Sequence, residues 1–179
     1  MILIHDFGVD LETYHELGKN NDFPMVEECP HCHAKHFLHR HGFYERNAIT
    51  AEKEYRLLIC RFRCSICFQT VSILPHFLLP YFQHTTRTIV QWLHDVLHQT
   101  GTNPSKRQLI SFYLRRFIQT ISWIYMYFAS VKESFGWERD TQQQACRSIG
   151  KIQQWGEERF VKESWGYLST YFMAHCFGR

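Results

Sequence analysis

Four cysteines stand in two closely spaced pairs, Cys29 with Cys32 and Cys64 with Cys67. Each Cys-x-x-Cys pair turns the backbone tightly enough for both sulfur atoms to reach one ion, and two such pairs complete a tetrahedral site. Four thiolates leave no coordination position for water, so we expect one structural zinc ion, Zn2+, rather than a catalytic one. The 31 residues between the pairs leave room for strands, as in a zinc ribbon. The alternative is a set of reduced cysteines in a core.

Other side chains near these pairs are also potential metal ligands. On an extended strand Cys60 shares a face with Leu58 and Phe62, which indicates a buried free thiol. Cys146 and Cys176 have no partner at ligand spacing and are interpreted as helix residues. Five histidines crowd the first pair and are interpreted as surface or phosphate-facing groups: His31, His33, His36, His39 and His41.

The composition favours a folded, soluble and cytoplasmic chain. With 45% hydrophobic content among 179 residues, one medium domain or two small ones can bury a core. We find no signal peptide, and the apolar stretch 117–131 is too short to span a membrane. Without an export signal, paired cysteines favour metal over disulfides.

Charge is distributed unevenly along the chain. Residues 1–28 hold seven acids and one base, a net charge of −6. Residues 29–118 hold twelve Lys or Arg and four acids, a net charge of +8. A basic segment of this kind is suited to a polyanion such as nucleic acid, although it could also be a solvated basic surface.

The first half is expected to be rich in β-structure. Residues 29–82 form the predicted zinc ribbon, and the acidic segment 1–28, with a short helix near 11–17, packs on it. Residues 71–81 form an apolar connector that its prolines keep extended. Runs rich in aromatic and β-branched residues predict strands at 1–4, 37–41, 43–46 and 55–63.

The second half, residues 83–179, is expected to be helical. A first helix is predicted from about residue 86, and a break at 101–104 separates it from a second helix. We expect a capping box of Ser105 and Gln108 to start the second helix, which after residue 117 becomes apolar on all sides through residue 128, as is typical of the centre of a bundle. This aromatic region also predicts a homodimer. Two further helices are expected at about 139–154 and 157–175.

The first two predicted helices resemble a helix-turn-helix, whose second helix enters the major groove with its N-terminus. Lys106 and Arg107 lie in the first turn of the second helix, which is the unfavourable end of the helix dipole for a base. Together with Arg115 and Arg116 they are predicted DNA contacts. The alternative is an ordinary helical hairpin.

Arg61 and Arg63 alternate with Cys60 and Phe62 on the last ribbon strand, so the two arginines point to one side. Arginines on a ribbon face contact phosphates without reading sequence. Their alternative role is to balance the charge of the thiolates. The ribbon residues predicted to bind nucleic acid are Arg40, Arg46, Arg56, Arg61 and Arg63.

Several motifs together resemble the zinc-ribbon module of bacterial insertion-sequence transposases, and are most similar to a transposase-like family of Gram-positive bacteria. They are a C-P-x-C knuckle at 29–32, H-G-x-Y-x-R at 41–46, R-x-R-C-x-x-C at 61–67 and L-P-x-F-L-x-P-Y at 74–81, after an acidic start. The resemblance covers residues 1–118. It implies that the ribbon and the helix-turn-helix bind the ends of a mobile element, and that a transposition or recombination protein is a partner.

The sequence therefore predicts an α+β protein with an N-terminal β-rich zinc ribbon and a helical bundle containing a helix-turn-helix-like pair. The predicted function is non-catalytic binding of duplex DNA. Transposases also carry a catalytic domain with separated carboxylates, whereas the acids after residue 118 lie on a charge-balanced helical stretch. The alternatives are a protein-interaction module that docks to a larger machine, and an RNA-binding ribbon.

Overall fold

The computed structural model describes residues 1–101 and 104–174. The chain divides into two compact units between Thr85 and Thr86. The border predicted from the sequence lies three residues earlier, after residue 82. A four-stranded sheet lies in the first unit, and four of the five α-helices lie in the second. The mixed α+β class predicted from the sequence is therefore confirmed.

The sheet of the first unit has the strand order β1-β4-β3-β2. Its strands are β1 (Ile2–His5), β2 (Leu38–Ile49), β3 (Glu54–Cys64) and β4 (Thr70–Pro75). β3 is antiparallel to both β2 and β4, whereas β1 pairs in parallel with β4. β1 thus lies at the edge of the sheet, as its short apolar run predicts.

Two details of the sheet differ from the predicted strands. The two short strands expected on either side of Gly42 are one strand, β2, interrupted by a β-bulge between Arg40 and Gly42. The connector predicted at 71–81 was wrong for residues 71–75, because these residues belong to β4 in the interior of the sheet. Val71, Ile73 and Leu74 are fully or almost fully buried, whereas Thr70 and Ser72 are only half-buried.

The acidic N-terminal segment belongs to the core of the first unit. Asp10 caps α1 (Leu11–Leu17) by accepting a hydrogen bond from the Thr13 amide, which lowers the pKa of Asp10. Tyr14 in this helix is fully buried, and its hydroxyl donates to the Leu58 carbonyl at 2.9 Å. Burial raises the pKa of Tyr14, so the hydroxyl stays neutral and remains a donor.

The helices of the second unit are α2 (Thr86–Leu97), α3 (Arg107–Ser130), α4 (Thr141–Trp155) and α5 (Glu157–Glu163). In the described chain, 1–101 and 104–174, no helix combines the length and apolar character needed to cross a membrane. α3 is not buried on all sides, which corrects the sequence-based expectation. It buries a stripe that runs along one side, and leaves three large apolar side chains exposed on another: Phe112, Ile118 and Met126.

Two further helix predictions were wrong. The residue before α3 is Lys106, whose side chain makes no capping hydrogen bond, so the helix does not begin directly after the predicted N-cap Ser105. The last helix ends at Glu163 rather than near residue 175, because the chain reverses through Gly166 and Leu168, both with positive φ. The predicted break at 102–103 and the predicted helical residues His175 and Cys176 lie outside the described residues.

We expect Tyr14→Ala to open the first unit. Removing a fully buried aromatic side chain costs about 3–5 kcal/mol. Cys60 is fully buried, so its alkylation reports opening of the sheet, and its rate should rise by at least about a hundredfold. Mass spectrometry of the labelled protein measures this rate. Tyr81→Ala is the matched control, because Tyr81 is 80% exposed in the same unit. Equal labelling of the two variants would contradict the placement of α1 in the core.

Candidate metal centre and basic surfaces

The sulfur atoms of Cys29, Cys32, Cys64 and Cys67 all lie within 4.8 Å of one another. The Cys29–Cys67 and Cys32–Cys64 sulfur pairs are each 3.7 Å apart. Zn–S bonds of about 2.3 Å in a tetrahedron place sulfur atoms about 3.8 Å apart. The four cysteines thus form a site that could hold one metal ion and is compatible with zinc.

The two knuckles have the same backbone conformation. In each of them, the residue four positions after the first cysteine has a φ of 59°, at His33 and at Phe68. The amide of His33 donates to the Cys29 carbonyl at 2.8 Å, and that of Phe68 to the Cys64 carbonyl at 3.0 Å. This repeated turn directs both cysteines of each knuckle toward a common centre.

The electrostatics of the four thiols favour a cation. The Cys32 amide lowers the pKa of Cys29, and the Cys67 amide lowers that of Cys64 to about 7. The Gln69 amide also lowers the pKa of Cys67, but desolvation and the neighbouring thiols raise it to about 12. Thiols this close cannot all ionise together without a compensating charge, which a bound metal ion supplies.

The other predicted thiols and histidines lie outside this centre. Among the described residues, the four cysteines are the only cluster with metal-ligand geometry. Cys60 is buried, which raises the pKa of its thiol. Cys146 lies on α4 and donates to the Leu97 carbonyl, with a sulfur–oxygen distance of 3.6 Å. The histidines near the first knuckle are exposed: His31, His33, His36, His39 and His41.

The β-bulge assembles one face of the sheet. Cross-strand partners share a face, so His39 lies on the same face as its partner Arg63, and Arg61 lies there by alternation. His39 and Tyr44 are five positions apart, which in a regular strand puts them on opposite faces. The extra residue, His41, brings Tyr44 to the face of Arg61, where the guanidinium is 5.1 Å from the ring centroid. We call this surface the Arg61–Arg63 face.

Arg46 already has partners within the protein. Its Nη2 donates to the carbonyl oxygens of Leu79, at 2.7 Å, and of Phe82, at 2.9 Å. Burial lowers the pKa of Arg46. Both of these hydrogen bonds hold the segment 79–82 against β2.

Of the two remaining predicted ribbon contacts, Arg40 lines a concavity together with Arg63, whereas Arg56 lies elsewhere. Arg56, on the opposite face of β3 by alternation, forms an exposed ion pair of 3.6 Å with Glu45. The Arg40 guanidinium is 5.5 Å from the ring centroid of Phe23. The five arginines predicted from the sequence therefore do not form one continuous surface.

The sequence analysis gives no role to Tyr44 or Phe68, although both contact arginines. Phe68 is 64% exposed, and its ring centroid is 5.5 Å from the Arg63 guanidinium. The available signal is its position directly after the ligand Cys67, where the knuckle turn leaves an aromatic ring unburied.

The basic residues of the helical unit have distinct surroundings. The Lys106 ammonium is 4.5 Å from the ring centroid of Trp92 on α2, which gives this base a packing role at the start of α3. Arg107 and Arg115 are exposed. Arg116 is partly buried and packs over an aromatic ring of the same helix.

Acids after residue 118 have structural partners. Glu133 pairs with Lys151 at 2.9 Å, and Glu163 pairs with Arg159 at 2.8 Å. Asp140 caps α4 by accepting a hydrogen bond from an amide in its first turn. These partners account for the charge balance of this stretch.

The chain is thus a mixed α+β protein with a four-cysteine centre that could hold one metal ion. Residues 29–115 match the model of a family described as a domain of unknown function (DUF6431). The match begins at the first cysteine of the centre and ends within α3. No curated protein and no solved structure matches the chain. The resemblance to transposases therefore stays a prediction.

We expect one zinc ion per chain, measured by elemental analysis of the purified protein. Cys32→Ser should lose the metal, whereas the matched variant Cys60→Ala should keep it, because only Cys32 belongs to the four-sulfur cluster. Metal removal by a chelator should unfold the knuckles, since binding energy at such sites is folding energy. A folded, metal-free wild-type protein would refute the assignment.

Proposed function

We propose that this chain is a non-catalytic, zinc-stabilised protein that binds duplex DNA, related to transposases or to regulators of a mobile element. The observation that carries the proposal is the exposed side of α3 over its first turns. This side presents hydrogen-bonding side chains that suit base edges, and the whole helix contains no Asp or Glu. The exposed polar residues are Arg107, Gln108, Ser111, Arg115 and Gln119.

In this proposal α2 and α3 act as a helix-turn-helix, and the start of α3 enters the major groove. An arginine such as Arg107 can donate two hydrogen bonds to guanine, and a glutamine such as Gln108 can pair with adenine. Lys106, packed on Trp92, holds α2 against α3 and brings its positive charge to the phosphates. Specificity is thereby assigned to α3.

The Arg61–Arg63 face supplies contacts that do not depend on sequence. Its two arginines meet phosphates, while the zinc ion holds the knuckles that border them. The proposal is for a non-catalytic protein, because four thiolates fill the tetrahedral shell of zinc and leave no position for a reacting water.

Protein interaction is a second candidate function. The apolar side chains of Phe112, Ile118 and Met126 are each about two-fifths exposed on one side of α3, and together they suit a protein partner or a homodimer. A salt titration separates the two functions. Binding to phosphates weakens steeply with salt, whereas an apolar interface does not.

We expect Arg107→Ala to reduce discrimination between a selected duplex and random DNA by about 5- to 100-fold, since a bidentate contact to guanine contributes about 1–3 kcal/mol. Binders are first selected from random duplexes with the zinc-loaded wild-type protein, and fluorescence anisotropy then gives both affinities. Lys132→Ala is the matched control, because Lys132 is an exposed base of the same unit beyond the end of α3.

The double variant Arg61→Ala, Arg63→Ala should lower the affinity for selected and for random duplexes by the same factor. Each phosphate contact contributes about 0.9 to the slope of log affinity against log salt, so the slope should flatten by about 2. If Arg107→Ala also lowers both affinities by the same ratio, α3 does not read the sequence. If wild-type protein binds no duplex at low salt, the proposed function fails.

A further inference from the structure

Two open concavities lie side by side on the Arg61–Arg63 face. One, of about 290 Å³, is lined by the side chains of Tyr44, Arg61, Thr70 and Ser72. The other, of about 270 Å³, lies toward the second knuckle. Its lining residues include His39, His41, Arg63, Ser65 and Phe68. Among the residues that the structure describes, those lining the two concavities include no acid.

Each concavity contains an arginine packed on an aromatic ring. The Arg61 guanidinium is 5.1 Å from the centroid of Tyr44, and the Arg63 guanidinium is 5.5 Å from that of Phe68. Residues two apart on a strand are about 7 Å from each other, so the two pairs repeat at that interval. This interval is close to the separation of successive phosphates in an extended single strand.

We propose that the Arg61–Arg63 face binds unpaired nucleic acid, with two successive bases stacked on the Tyr44–Arg61 and Phe68–Arg63 pairs. The guanidinium groups also meet the phosphates, and the hydroxyls of Thr70 and Ser72 donate to the backbone of the strand. This inference deepens the proposed function, because it adds an unpaired strand to the duplex assigned to α3.

The geometry favours stacking over a phosphate contact alone. Phosphate binding or charge balance for the thiolates requires arginines, but neither role requires an aromatic ring beside each one, half-buried at Tyr44 and exposed at Phe68. Phe68 is 64% exposed, so a base can reach its ring. A base stacks on such a ring whatever its identity, because every base has a π-face. In a duplex the faces of the bases are hidden within the stack, so this surface suits strands with unpaired bases.

The test measures fluorescence anisotropy of the zinc-loaded protein with four probes of equal length. They are an oligothymidine, an oligouridine, an abasic deoxyribose-phosphate strand and a random duplex. We expect the oligothymidine to bind more tightly than the abasic strand, because only the former can stack. The comparison with oligouridine tells whether the natural strand is DNA or RNA. Equal affinity for the thymidine and abasic strands would overturn the inference.

Variants locate the site. Tyr44→Leu and Phe68→Leu should each lower the affinity for oligothymidine by about 5- to 100-fold, which is the range of one base–aromatic stack. The affinity for the abasic strand should not change. Trp137→Leu controls for loss of an exposed aromatic ring, since Trp137 is 51% exposed in the second unit. Arg56→Lys is the control for the variant Arg61→Lys, because Arg56 and Arg61 both lie on β3 but on opposite faces.

Phe68 adjoins a metal ligand, so zinc content is measured for every variant. If Phe68→Leu loses zinc, Tyr44→Leu decides, because Tyr44 lies on β2 away from the knuckles. Normal oligothymidine binding by zinc-loaded Tyr44→Leu would overturn the inference. If duplex binding persists and depends on Arg107 while no single strand binds, this inference fails and the proposed function stands. If no probe binds, both fail.

Discussion

The close approach of four cysteine sulfur atoms, all within 4.8 Å of one another, constrains the β2–β3 hairpin of the first unit. The first knuckle precedes β2 and the second follows β3, so both lie at the open end of the β2–β3 hairpin. The register pairs Leu38 with Cys64, and the Ser65 amide donates to the Phe37 carbonyl at 2.9 Å. A slip of one residue would move Cys64 from its partners and invert every side chain of β3. The same register that pairs β2 with β3 therefore brings the cysteines of the two knuckles together.

The bulge in β2 reconciles two demands on the same sheet. The core requires Phe43 opposite the buried Cys60, whereas the knuckle end requires His39 opposite Arg63. One additional residue, His41, satisfies both, and Gly42 next to it adopts a φ of 140° that side chains rarely tolerate. A Cβ at Gly42 would meet nothing within 4 Å, so the requirement for glycine there is conformational and not steric.

Features encoded by local spacing were predictable from the sequence. The two Cys-x-x-Cys pairs identify the four-cysteine centre, the pattern of β3 gives its alternating arginines, and Asp10 precedes a short helix. The bulge could not be predicted, because the extra residue is defined only by the partner strand. The two hydrogen bonds of Arg46 depend on a segment more than thirty residues away. The role of residues 71–75 was obscured by Pro75, since an apolar run that ends in a proline fits a connector as well as a central strand.

The helical unit shows the limits of periodicity as a guide. Apolar side chains around α3 indicate burial on every side, yet the neighbouring helices cover only one stripe. Val161 and Leu168 would share a helix face only if α5 continued to residue 168. The chain leaves the helical conformation at Gly166, which has a positive φ. Lys106, the base at the start of α3, packs on the ring of Trp92. The helix-dipole argument alone does not predict this contact.

The parallel pairing of β1 with β4 has a consequence for synthesis on the ribosome. Ile2 is in register with Ser72, so β1 is made first but acquires its partner only after about seventy more residues have been joined. The β2–β3 hairpin can form earlier, because a tight turn at residues 50–53 connects its strands. During that interval the apolar residues of β1 have no sheet to join, and the nascent chain is then most prone to bind chaperones or to associate with other chains.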